Sequence, residues 1–453
     1  MHKLRRNRLL GLALLVVAAV VCPAQVTFTE YPVPTTSSYL NEGITTGPDG
    51  NLWFIEGNGI KIARMTPAGV VTGQFTVPSL GIYGNGSGAG SITAGPDGNL
   101  WFTEYFANKI GRITPAGVIT EFPIPSGGIY GNGTFPASIT AGPDGNLWFT
   151  QYLGNGIGKI TPAGVITEFP VPSGGIYGAF LITAGPDGNL WFTECRCSSG
   201  ASGPMNIGRI TTAGVITEFL VPTSGSAPYG ITAGPDGNIW FTEATPNKIG
   251  RITPAGVITE FPGPAGSGLA QITTGPDGNL WFTEYTGNKL GRITPAGTIT
   301  EFPVPTASAM GGITTGPDGN LWLVETTAKN IVKVSLATVY NVCLLYDPTK
   351  AAKSGSTIPI KLQLCDGSGN NLSSPSITVH AVSITQTSSL ISGPVEDSGN
   401  ANPDNGFRFD STLGTTGGYI FNLSTKGLTT GTYNLNFTVT GDSAVHAAPF
   451  QVK

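Results

Sequence analysis

The first three quarters of the chain repeat one short pattern of apolar and polar positions, clearest between residues 92 and 125. Ile92-Thr93-Ala94 is a brief strand-forming run, and Gly95-Pro96-Asp97-Gly98 is a turn in which proline pre-sets φ and glycine supplies a positive φ. Asn99 to Glu104 is rich in aromatic and β-branched residues and predicts a second strand; Lys109 to Thr114 predicts a third. Pro115-Ala116-Gly117 has the form of a three-residue hairpin loop, Val118 to Phe122 is a fourth strand, and Pro123-Ile124-Pro125 stops it. Within the second strand Leu100 and Phe102 point one way, Trp101 and Thr103 the other. Both faces carry apolar bulk, as a sheet packed between two others requires.

The same unit returns around Trp53, Trp101, Trp148, Trp191, Trp240, Trp281 and Trp322, each preceded by Gly-Pro-Asp-Gly-Asn and a Leu or Ile. These are all seven tryptophans of the chain, and they stand 41 to 49 residues apart. A period in the forties with four short strands per unit predicts a β-propeller, with the indoles packed between blades. The seventh unit runs through Trp322 and Ile331 to Val334 and lacks a fourth strand. Val26 to Pro34 has the same pattern as Val118 to Pro125. The first strand is therefore expected to complete the last blade, which leaves no open sheet edge and sets the count at seven.

From about Thr338 the repeat stops and Ser, Thr and Asn become frequent. Strand-like runs at 340–346, 357–364, 377–384, 407–410, 418–423, 433–439 and 447–452 predict a β-sandwich. The fold class expected is all-β: a seven-bladed propeller over residues 25–336, then an Ig-like sandwich over 337–453, after a leader at 1–24.

That leader has Lys3, Arg5, Arg6 and Arg8 ahead of an apolar run from Leu9 to Val21 and a small residue at Ala24. It has the form of a secretory signal cleaved near Ala24, too short to span a bilayer comfortably. Its loss removes four basic residues and no acidic one, so the net charge moves from −4 to −8. An acidic exported chain is not expected to bind nucleic acid, and no other stretch is long and apolar enough for a membrane span. The expected location is secreted, periplasmic or at the cell surface, as a monomer. In such a compartment Cys343 and Cys365, on neighbouring predicted strands, are expected to pair, whereas Cys195 and Cys197 share one loop where a bond would be strained.

Differences between repeats point to a working face. The GPDG and TPAG turns hardly vary, but the connections at the other end of each blade do, and variable loops on one face mark a binding surface. Gly-Ile-Tyr-Gly recurs there at 81–84, 128–131 and 175–178. The candidate ligand-binding residues are Tyr83, Tyr105, Tyr130, Tyr177, Tyr229 and Tyr285, for a small molecule, a peptide or a glycan. That end also receives Glu56, Glu104, Glu194, Glu243, Glu284 and Glu325, with Gln151 in the third blade. These carboxylates are expected to accept bonds from loop amides or from bases such as Arg112 and Arg251. Alternatively a subset, Glu243 and Glu284, holds a divalent cation such as Mg²⁺.

The run Ile-Thr-Ala-Gly-Pro-Asp-Gly-Asn-Leu-Trp-Phe-Thr-Glu, followed by Asn-Lys-Ile-Gly-Arg-Ile-Thr and Ile-Thr-Glu-Phe, resembles the virginiamycin B lyase (streptogramin lyase) family over about residues 26 to 334. That resemblance implies a seven-bladed propeller and a Mg²⁺-dependent elimination that opens the ester of type B streptogramins. It implies working groups at the Trp-Phe-Thr-Glu glutamates and at histidines just before the first strand of a blade. Glu243 and Glu284 match. The second set does not: the residues two before the strand-opening isoleucine are Glu42, Gly90, Ala137, Phe180, Tyr229, Ala270 and Gly311, and the chain's histidines are His2, His380 and His446. Tyr229 and Glu42 are the substitutes on offer, with ordinary pKa values far from neutrality. The expected function is a ligand-binding or scaffold version of the fold, with the Mg²⁺-dependent lyase as the alternative. The C-terminal segment resembles an Ig-like accessory module of bacterial exported proteins, with Leu428 to Tyr433 similar to a tyrosine corner.

Overall fold

The computed structural model describes residues 26–453 except 36–38, 58–60, 79–89, 126–133, 173–177, 195–204, 307, 337–339, 366–370, 376, 388–391, 396–402, 415–416, 441 and 443. The chain divides into a compact unit at Val26–Leu336 and a second that includes Ala337–Lys453. The first consists of seven four-stranded antiparallel sheets. In the fifth blade, for instance, the strands are Pro228–Ala233, Ile239–Glu243, Lys248–Ile252 and Ile258–Pro262. Strand one lines the axis and strand four lies outermost.

The invariant turn is a cap for the tryptophan. Asp97 Oδ1 accepts the indole N–H of Trp101 at 3.0 Å, and the same bond forms in every blade. Gly98 turns the chain at φ 75°, and at Gly95 a Cβ would strike the indole edge. The capped Trp101 is fully buried against Leu147, Phe149 and Ile160 of the next blade. Phe122 stacks on it at 5.4 Å, and the Arg112 guanidinium lies 5.5 Å from its centroid. Arg112 also donates to Pro162 O of the next blade at 3.1 Å. Each blade therefore buries an indole, and in blades one, two, four and five the arginine beside it also clamps the next blade through a proline carbonyl.

A second set of clamps lies nearer the axis. Thr103, Thr150, Thr193, Thr242 and Thr283 each donate a hydroxyl to a strand-one carbonyl of the following blade. Blades one and seven have Ile55 and Val324 at this position, and their junction is held by Thr46 Oγ1 donating to Thr315 O at 2.8 Å. Ring closure follows the expected plan. Val26–Pro32 pairs antiparallel with Asn330–Leu336, Val26 opposite Leu336, and Tyr31 stacks on Trp322 at 5.7 Å.

The C-terminal unit has two four-stranded sheets. One joins Asn341–Leu344, Thr357–Cys365, Gly418–Ser424 and Arg408–Asp410; the other joins Ser392–Gly393, Val379–Gln386, Gly431–Val439 and His446–Val452. Leu362, Phe421, Leu435 and Phe437 are among the residues buried in its core. Cys343 and Cys365 are disulfide-bonded. The Tyr433 hydroxyl donates to Thr429 O at 2.9 Å, closing a tyrosine corner. His446 packs on Phe437 and meets Asp442 at 2.8 Å; it is buried, whereas His380, two strands over in the same sheet, is exposed. Cys195 and Cys197 lie outside the described residues.

Candidate functional site

The seven first strands surround a central channel containing a cavity of about 120 Å³, lined by Ile44, Ile92, Ser138, Ile182, Ile231 and Ile313 among others. Glu42 of blade one is the only ionisable side chain in this lining. Across the channel, the Tyr229 hydroxyl of blade five donates to Glu42 Oε2 at 3.0 Å, and Gln271 Nε2 of blade six donates to the same oxygen at 3.2 Å. The three side chains form a hydrogen-bonded bar over the channel. Burial pushes the Glu42 carboxyl above its ordinary pKa, opposed by the bonds from Gln271 and Tyr229. Burial, reinforced by the charge of Glu42, raises the Tyr229 phenol well above 10. Tyr229 is therefore a donor at neutral pH and no base.

Aromatic rings continue outward from the bar. Phe180 lies 5.1 Å from Tyr229, and Tyr152 lies 5.5 Å from Phe180. A second cluster, Tyr105, Phe106 and Phe135, has centroids 4.9 to 5.9 Å apart. Burial lifts the Tyr105 phenol to about 12. Phe135 holds a positive φ of 53°, an unusual conformation for a bulky residue. Tyr285 is 44% exposed. Of the tyrosines expected on this face, Tyr229 is not an exposed platform but half-buried over the channel, because its hydroxyl has found Glu42. Tyr83, Tyr130 and Tyr177 lie outside the described residues.

The glutamates that end strand two do not form a solvated rim. All six are buried, because each shares a face with the Leu and Phe two and four residues earlier, and that face packs on the preceding blade. Nor are Arg112 and Arg251 their partners. Strand register sets these arginines opposite Trp101 and Trp240, so they reach Asp97 and Asp236 at the other end of the strand; the residues opposite Glu104 and Glu243 are Lys109 and Lys248.

The blades do not all settle this buried position in the same way. Gln74 donates to Glu56 at 2.6 Å, Asn206 to Glu194 at 3.1 Å and Asn330 to Glu325 at 2.7 Å, while Gln151 donates to Glu168. In blades five and six the lysine is taken by the strand-four acid, Lys248 with Glu260 at 2.8 Å and Lys289 with Glu301 at 3.0 Å. Neither oxygen of Glu243 then makes a hydrogen bond of normal geometry, and one oxygen of Glu284 is left the same way. Burial, followed by the charges of Glu260 and Glu301, raises Glu243 and Glu284 to about 7. Burial does the same to Glu325.

These groups do not suit a divalent ion. Among the described residues no three of His, Cys, Asp and Glu come together to hold one. Glu243 and Glu284 lie on different blades, each beside a lysine. Sequence reasoning missed Gln271, although a signal was present: it is the one long polar side chain at a position that is Gly43, Ser91, Ser138, Leu181, Gly230 and Gly312 in the other blades.

Fold and site together define a seven-bladed β-propeller with an acid-and-aromatic mouth at one end of its channel. The family model for virginiamycin B lyase matches residues 26–199 and 178–354, and the chain belongs to the virginiamycin B lyase family. A streptogramin B lyase structure is similar at 37% identity over 69% of this chain and 98% of that one, with a TM-score of 0.60. A catalytically inactive histidine-to-alanine variant of virginiamycin B lyase from Staphylococcus aureus, solved with quinupristin, is 38% identical over 69% of this chain and all of that one, again with a TM-score of 0.60. The extracellular domain of a one-component system from B. thetaiotaomicron shares the fold at 15% identity and a TM-score of 0.53, over 95% of this chain and 60% of that one. No curated protein matches the chain. Among the described residues no helix is long and apolar enough to cross a membrane.

Proposed function

We propose that the propeller is an exported ligand-binding member of its family without lyase turnover, and that its ligand sits over the channel against Tyr229 and Tyr152. The observation that carries this is the bar of Glu42, Tyr229 and Gln271. Elimination at neutral pH needs a base whose pKa lies near the working pH and which can reach the substrate. The propeller sequence contains no imidazole, Tyr229 is held protonated, and Glu42 already accepts two hydrogen bonds on one oxygen. In the Staphylococcus aureus relative, a protein inactivated by loss of one histidine was still solved with quinupristin, which supports treating binding and turnover as separable. The basic and apolar leader supports export.

The alternative of a Mg²⁺-dependent lyase draws on Glu243 and Glu284, whose pKa values near 7 would suit a general base. Their burial, 0% and 1% exposed, weighs against it, because neither can touch a bound molecule without rearrangement. The test is to incubate the full chain with quinupristin and Mg²⁺, measuring binding by calorimetry and linear product by mass spectrometry. Saturable binding without product is expected, lost in Tyr229→Ala. Linear product that disappears in Glu284→Gln would restore the lyase, and binding indifferent to Tyr229→Ala would move the site elsewhere.

A further inference from the structure

The bar over the channel leaves one side of Glu42 unspent. Its Oε2 accepts from both Tyr229 and Gln271, whereas its Oε1 makes no hydrogen bond among the described residues. Nor does a positive charge balance it: besides Glu42 and Gln271 the channel lining is glycine, serine and aliphatic, without Lys, Arg or His. A carboxylate withdrawn from water without a cation is costly, and burial has already pushed this one above its ordinary pKa. Unlike the strand-two glutamates, it keeps a surface that a ligand can reach. Glu42, Tyr229 and Tyr152 are half-buried, and Tyr285, close enough to Tyr229 to raise its phenol further, is 44% exposed.

We propose, resting on the ligand-binding role inferred for this mouth, that its occupant is an organic amine, with the ammonium donating to Glu42 Oε1 and the apolar body against the rings of Tyr152 and Tyr229. An ammonium supplies in one group both things the carboxyl lacks, a donor and a positive charge. The negative faces of the tyrosine rings attract the same cation. A carboxylate ligand would meet Glu42 with like charge, and an alcohol would fill the hydrogen bond but leave the charge unbalanced. A proton competes with the amine for Oε1, so acid closes the site and higher pH opens it. Of the groups facing Glu42, Tyr229 of blade five stays protonated and Gln271 of blade six does not titrate; the lining from the other blades is serine, glycine and aliphatic.

The experiment is calorimetric titration of the full chain with phenethylammonium, 2-phenylethanol and 3-phenylpropionate. Phenethylammonium is expected to bind one to one, phenylethanol about tenfold more weakly, and phenylpropionate not at all. Glu42→Gln keeps the shape and removes the charge, and is expected to bring phenethylammonium down to the level of phenylethanol, with tryptophan fluorescence confirming the fold. From pH 5 to pH 8 the parent is expected to bind the amine more tightly, and Glu42→Gln to show no such slope. The sequence has one base in the propeller segments outside the described residues, Arg196. Arg196→Ala is expected to leave amine affinity unchanged; a gain would make that arginine the counter-ion of Glu42 and overturn the assignment. No binding of phenethylammonium, equal affinity for amine and alcohol, or amine affinity unchanged in Glu42→Gln would each overturn it too. The mouth as a binding site is judged separately, by whether quinupristin binding depends on Tyr229.

Discussion

Replacing Glu243 by glutamine should stabilise the propeller at alkaline pH and leave it nearly unchanged at acid pH. Glu243 is fully buried, its lysine neighbour is occupied by Glu260, and its pKa is raised from 4.5 to about 7. Between those two values the folded chain keeps a proton that the unfolded chain has already released. Stability attributable to this group therefore falls as pH rises through that window, and the full cost is felt above 7. At about 1.4 kcal/mol per pKa unit the shift bounds the effect near 3 kcal/mol. Glutamine is isosteric with the protonated acid, and blade three already contains the experiment: Gln151 holds this position and donates to Glu168. The assay is urea denaturation at pH 5, 6, 7 and 8 followed by tryptophan fluorescence. All seven tryptophans belong to the propeller, so the signal reports that unit alone. Parallel pH profiles for the two proteins, or a variant that loses more stability than the parent at pH 8, would refute the reasoning.

Three further outcomes follow from the clamps. Asp236→Ala removes the acceptor of the Trp240 indole N–H at 3.0 Å and should cost about 1–3 kcal/mol in thermal or urea unfolding. Thr242→Val strands the Gly230 amide and the Ala270 carbonyl, bonded at 2.9 and 2.6 Å, and should cost a similar amount. Cys343→Ser with Cys365→Ser opens a loop of 22 residues and should lower the stability of the C-terminal unit by about 3 kcal/mol, visible by circular dichroism and absent from the tryptophan signal.

Blade count and closure were legible because the turns carry their own chemistry. Each Gly-Pro-Asp-Gly fixes a reversal, each Trp marks a packed face, and Val26 to Pro34 repeats the outer strand of the other units. The partners of the buried acids were not legible. Linear order sets Arg112 eight residues after Glu104 and suggests that they meet, but antiparallel register places Lys109 opposite Glu104 and sends Arg112 to Asp97. Alternation along Leu100, Phe102 and Glu104 did contain the burial of the carboxyl. What it omitted was how completely the preceding blade covers that face. The contact between Glu42 and Tyr229 spans 187 residues and exists only because seven repeats bend into a ring; no local pattern could announce it.

The seam of that ring has one more implication. Val26 and Leu336 are register partners at the two ends of a single antiparallel pair, so the break in the polypeptide falls inside a blade, where hydrogen bonds bridge it. A chain rewired there with a tight hairpin, and cut instead at any Thr-Pro-Ala-Gly turn, would present the same seven sheets in the same cyclic order. The disc is thus indifferent to where its thread starts, and a permuted gene offers a way to place new ends without disturbing the mouth.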